Sequence, residues 1–155
     1  VIGSVHYLKT DCGYIPVDEN PEILIKAAKR HYNGDMYILV NDYYETVSRV
    51  VEVTKANIIG HFDLIKKFNR EGCLFDESDP RYTTAVKKAL DRLLTYDVPF
   101  EINTGAISRG YRNDPYPSVE WISYIKDHGG RFVLSSDSHS TETLCFKFPE
   151  YTKMM

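Results

Sequence analysis

The chain has 155 residues, 43% of them hydrophobic, and a formal net charge of −3. That is about one domain of ordinary globular composition, without the basic run that a nucleic-acid groove or an acidic membrane surface would call for. No apolar stretch is long enough to span a bilayer and no signal-peptide pattern stands at the start. Cys12, Cys73 and Cys145 are too scattered for a disulfide framework or a metal clip, so a reducing, cytoplasmic setting is expected.

In chain order, Ile2 to Leu8 reads as a first strand with His6 near its end, and Asp11–Glu19 as a loop. Asn20 is placed to cap a helix that takes Pro21 at its first position and stops near Asn33-Gly34. A second helix is predicted from Met36 to Lys55, then a short buried strand, Asn57–His61. Phe62 to Tyr82 is irregular, the kind of long loop that is usually functional. Thr83 to Asp97 has the clearest amphipathic pattern, with Val86, Leu90, Leu93 and Leu94 on one face. A third strand, Pro99–Asn103, leads into a polar loop, Thr104–Pro117. Ser118 is expected to cap the next helix, which carries Trp121, Ile122 and Ile125 and ends at Gly129-Gly130. Arg131–Ser135 is the fourth strand, and the tail leaves room for one short helix before Pro149.

Strands alternating with helices imply a parallel sheet with right-handed crossovers, so that every strand ends on the same side. Polar groups stand in or just past the last part of each predicted strand: His6, His61, Glu101 with Asn103, and Asp137 with His139. This describes one rim of a parallel α/β barrel, where sites are built from C-terminal strand ends. Imidazoles and a carboxylate in such places suit Zn, Mn or Fe. His31 and His128 fall in last helical turns instead, where a cation complements the helix dipole. Glu101 and Asn103 share one face of their strand, and Glu101 is placed to orient an imidazole from behind. Arg109 and Arg112 flank Gly110-Tyr111 in the loop after that strand, a pattern suited to bidentate phosphate binding. No glycine-rich nucleotide loop is present.

The runs Gly3-Ser4-Val5-His6, Ile59-Gly60-His61-Phe62-Asp63-Leu64-Ile65-Lys66-Lys67-Phe68, Glu101-Ile102-Asn103-Thr104 and Ser135-Ser136-Asp137-Ser138-His139 resemble the later motifs of PHP-domain histidinol phosphatases. The resemblance implies a distorted seven-stranded TIM-like (β/α) barrel, of which residues 1–155 would be the C-terminal part: a single domain with about four parallel strands and the N-terminal strands missing. It also implies up to three divalent metals in the intact domain. His6 and His61 match the two histidines that hold one metal, Asp137 a ligand of a second and His139 a ligand of a third, while Arg109 or Arg112 sits where the substrate phosphate is expected. Asn103 is counted with the substrate-binding residues, and Glu101 and Asp63 with the groups behind the ligands.

The expected activity is phosphomonoester hydrolysis by a metal-bound water, with L-histidinol phosphate as substrate in histidine biosynthesis. The family's earlier ligands have no counterpart here, so the chain by itself is expected to hold roughly half a ligand set. Two alternatives stand beside this reading. One is a catalytically incomplete barrel fragment that self-associates as a homodimer through its open sheet edge. The other is a phosphoesterase acting on a different small phosphate ester.

Overall fold

The computed structural model describes all 155 residues. Its core element is a four-stranded parallel sheet in the order β1 (Ile2–Gly3), β4 (Ile58–Ile59), β5 (Phe100–Asn103), β6 (Phe132–Ser135). Gly3 pairs with Ile59, Ile59 with Phe100, and Asn103 with Ser135, so the C-terminal ends of all four strands open on one side. All four residues of β5 are buried, as expected for an inner strand of a parallel sheet covered on both faces. The architecture is thus mixed α/β with a parallel sheet and helical crossovers, as the alternation of patterns implied.

The helices follow their caps. In α1 (Pro21–His31) the Asn20 side chain accepts from the Glu22 amide, with Pro21 at the first position. The predicted second helix is divided at Arg49 into α2 (Met36–Ser48) and α3 (Val50–Thr54). The amphipathic helix α4 (Pro80–Leu93) begins three residues earlier than its apolar stripe suggests, because Asp79 caps it and Pro80 starts it. It buries Tyr82, Val86, Leu90 and Leu93 in the same cluster as Leu39, Tyr43, Tyr44 and Val47 of α2. No helix is long and apolar enough to cross a membrane.

Four local expectations are corrected. The first strand stops at Gly3, and Tyr7–Thr10 (β2) instead pairs antiparallel with Gly13–Pro16 (β3) in a hairpin where a loop was expected. The directly paired residues Leu8 of β2 and Ile15 of β3 are both buried, which anchors the hairpin to the core. The loop after β5 contains a short helix, α5 (Gly105–Ser108). Ser118 precedes α6 (Val119–Asp127) as expected but makes no side-chain cap; its hydroxyl accepts instead from Lys66 Nζ at 2.9 Å. The terminal helix α7 (Phe148–Thr152) contains Pro149 in its first turn rather than ending before it, a place where proline lacks no needed amide hydrogen.

Candidate metal centre

Two of the strand ends approach through glycines. A Cβ at Gly3 would stand 2.6 Å from Ala56 Cβ, and one at Gly60 2.7 Å from Ile2 Cγ2. Gly60 therefore lets the end of β4 lie against β1, Gly3 lets β1 lie against Ala56 and the helix before it, and His6 and His61 meet just beyond these exits. Their ring centroids are 4.8 Å apart with the planes at 77°. His61 adopts φ 22°, a strained conformation for a side-chain-bearing residue. The buried Glu101 carboxylate holds it there: Oε2 accepts from the His61 amide at 2.7 Å. Glu101 thus fixes the backbone that carries an imidazole rather than the imidazole itself.

The β2–β3 hairpin supplies a group that sequence reading missed. The chain leaves β3 through Val17, whose amide donates to the His6 carbonyl at 2.9 Å. The next residue, Asp18, places Oδ2 3.0 Å from His6 Nδ1. A carboxylate on one ring nitrogen fixes the tautomer and leaves the other nitrogen's lone pair for a cation, the usual partnership behind a metal-bound histidine. At His61, burial and then the neighbouring His6 lower the imidazole pKa, favouring the neutral, ligating form. His61 Nδ1 is buried without any hydrogen-bond partner. An orphaned ring nitrogen beside a carboxylate-oriented imidazole fits a divalent cation. Asp18→Asn should lower the apparent affinity for Mn or Zn by about 10- to 100-fold, the effect typical of such orienting groups. Calorimetric titration checks this, and unchanged affinity would remove Asp18 from the site.

Asp137 and His139 follow β6 on the same side. His139 Nε2 is 3.9 Å from Asp137 Oδ1, and Asp137 adopts φ 44°. Arg109, just after α5, reaches across to Asp137, donating from Nη1 to its carbonyl at 2.8 Å and from Nη2 to its Oδ2 at 3.1 Å. Gly105 makes room for this pair: a Cβ there would lie 2.8 Å from Arg109 Nη2 and 3.0 Å from Asp137 Cβ.

His6, Asp18, His61, Arg109, Asp137 and His139 all line one cavity of about 380 Å³, together with Lys67, Tyr111 and Tyr116. The structure thus brings the four predicted metal-competent residues to one cleft. They do not close into a finished shell, since no three His, Cys, Asp or Glu side chains stand together as a metal-holding group.

The remaining predicted site residues lie behind the cavity wall. Arg112 gives Nε and Nη2 to Asp114 Oδ1 at 3.0 and 2.8 Å and Nη1 to the Lys66 carbonyl at 2.6 Å, so its guanidinium faces protein rather than the cleft. Asp63 is fully buried, with Oδ2 accepting from the Ser118 amide at 3.0 Å. Burial raises its pKa against the opposing pull of Lys66, the Ser118 amide and Arg112. Asn103 turns its Oδ1 to the Gly105 amide at 2.9 Å, shaping the start of α5. His31 ends α1, and His128 follows α6 with Nδ1 2.8 Å from the Tyr124 carbonyl, so neither reaches the cavity.

No protein-family model matches the chain. It is 31% identical over 146 residues to a Schizosaccharomyces pombe protein and 31% identical over 156 residues to one from Deinococcus radiodurans, both provisionally named histidinol-phosphatase. It is 27% identical over 159 residues to the histidinol-phosphatase of Saccharomyces cerevisiae. These matches take in 89%, 99% and 89% of this chain but 44%, 52% and 46% of those proteins. The chain therefore spans about half the length of the curated relatives it matches. Among solved structures, a Listeria monocytogenes protein provisionally described as a histidinol phosphatase superposes with a TM-score of 0.78 at 20% identity, over 96% of this chain and 56% of that one. That likeness shows the fold. The resemblance to histidinol phosphatases read from the four motifs is borne out by the named relatives.

Proposed function

We propose, from this kinship with histidinol phosphatases, that the protein to which these residues belong hydrolyses a small phosphate monoester, L-histidinol phosphate, with the help of divalent metal. The single observation that carries the reading is the meeting of His6, His61, Asp137 and His139, from the ends of three parallel strands, in one cavity with Arg109. In this reading the four-stranded sheet is part of a PHP barrel, whose sites lie at the C-terminal strand ends.

His6 and His61 would hold one ion, Asp137 a second and His139 a third, with Zn, Mn and Fe all compatible with imidazole and carboxylate donors. When bound, such ions activate water and offset charge on phosphoryl oxygens. The chain's own groups do the rest. Asp18 orients the His6 ring, and Glu101 locks the His61 backbone. Arg109 is held against Asp137, a fixed positive group beside the site of developing negative charge. No side-chain nucleophile is required.

The test is release of inorganic phosphate from L-histidinol phosphate by the protein supplied in turn with Mn, Zn or Fe. Metal-dependent hydrolysis that a chelator abolishes supports the reading. Hydrolysis undiminished after the metal has been stripped would overturn it.

A further inference from the structure

Three cations stand near the cleft, and their bonding differs. The Arg112 guanidinium is spent on Asp114 and the Lys66 carbonyl. Arg109 lines the cavity but is paired with the Asp137 carboxylate. Lys67 also lines the cavity and forms no salt bridge with any carboxylate. Its Nζ makes one hydrogen bond, to the Asp18 carbonyl at 2.6 Å, and lies 4.7 Å from the centre of the Tyr111 ring. An ammonium has three donors, so two stay open.

We propose that Lys67 binds the substrate phosphate directly, a role that the sequence pattern offered to Arg109 or Arg112. The proposal deepens the phosphatase reading and rests on it. The local backbone explains how adjacent lysines take opposite roles: Leu64–Lys66 form a single 3₁₀ turn that sends Lys66 into the core and leaves Lys67 at the cavity. The Asp18 carbonyl and the Tyr111 face hold the ammonium without neutralising it, since neither carries a formal charge. Asp18 also touches His6 through its carboxylate, so one residue ties the phosphate-binding cation to a metal-competent imidazole.

The experiment compares wild type, Lys67→Met and Lys67→Arg in the metal-loaded protein, measuring hydrolysis of L-histidinol phosphate and competitive inhibition by inorganic phosphate. Methionine keeps the aliphatic stem and removes the charge. Loss of one charge-assisted contact should raise KM and the phosphate inhibition constant together by about 10- to 100-fold, with kcat affected less. Lys67→Arg should recover most of the loss, and bound metal should be unchanged in both variants. If Lys67→Met leaves KM and phosphate inhibition within about twofold of wild type, or if arginine recovers nothing, the phosphate-binding role is overturned while the phosphatase reading stands. If the wild-type protein neither hydrolyses the ester nor binds phosphate, both fall.

Discussion

Alanine in place of His61 or Asp137 is expected to lower kcat/KM for L-histidinol phosphate by more than about 100-fold, exceeding the 10- to 100-fold typical of groups that only orient a ligand. The two residues approach from different strands, β4 and β6, and line one cavity. The His61 ring has a buried nitrogen that no protein group satisfies. Glu101 fixes its backbone at a conformation the residue would not choose by itself, so a strained backbone holds the imidazole at the cleft. Asp137 is likewise held at positive φ and clamped by Arg109. Both variants should retain wild-type far-ultraviolet circular dichroism. Activity that survives both substitutions would leave the strand-end cluster without a catalytic role.

Replacing Lys66 with methionine is expected to give the largest loss of stability. Its side chain is 2% exposed, and Nζ stands 2.7 Å from Glu77 Oε2, 2.9 Å from Ser118 Oγ and 3.7 Å from Asp63 Oδ2. Burial pulls the ammonium's pKa down, but Asp63, Tyr82 and Glu77 outweigh it and the net shift is upward. Removing one member of a buried ion pair costs about 3–5 kcal/mol because the partner charge is stranded. For a domain of this size that is roughly 6–20 °C in Tm. The sign of the pH dependence follows from Asp63. Burial already raises its carboxyl pKa, and without Lys66 the pKa rises further. A carboxyl with a raised folded-state pKa loses stability as pH rises through that value, so the variant should suffer less near pH 5 than near pH 8. Thermal unfolding at both pH values checks this, and a Tm within 2 °C of wild type (under about 1 kcal/mol) would show the pair to be dispensable.

The parts of the fold that announced themselves were those governed by periodicity and caps. The α1 start at Asn20-Pro21 and the apolar stripe of α4 are local properties, legible in any context. That His6, His61 and His139 would share one cavity was legible from topology: each lies at or a few residues beyond the end of a strand, and a parallel sheet gathers the residues at its strand ends on one side.

Chain direction was the part that escaped. Ile2, Val5, Tyr7 and Leu8 spread apolar residues across Ile2 to Leu8, so the segment reads as one strand, and only the small Gly3-Ser4 break marks where one strand ends before another starts at Tyr7. The hairpin that brings in Asp18 was hidden by that continuity, although Asp11-Cys12-Gly13 is turn chemistry and Gly13 takes φ 124°. Arg112 and Arg109 look alike in sequence, and it is Asp114, two residues beyond Arg112, together with the distant Lys66 carbonyl, that turns the Arg112 guanidinium inward. Lys66 and Lys67 are indistinguishable until the 3₁₀ turn between Leu64 and Lys66 separates them. Ser118 keeps its place before α6 but gives its hydroxyl to Lys66, a long-range partner that no local rule contains.

The most direct test of the shared centre is anomalous diffraction from crystals of the protein soaked in Mn or Zn. The expected result is a peak in the cleft bonded to imidazole nitrogens of His6 and His61, at the roughly 2.0–2.1 Å typical of Zn–imidazole bonds when Zn is used, with Asp137 and His139 facing the same ion cluster. Peaks confined to other surfaces, with the two rings left unbonded at full metal loading, would contradict it.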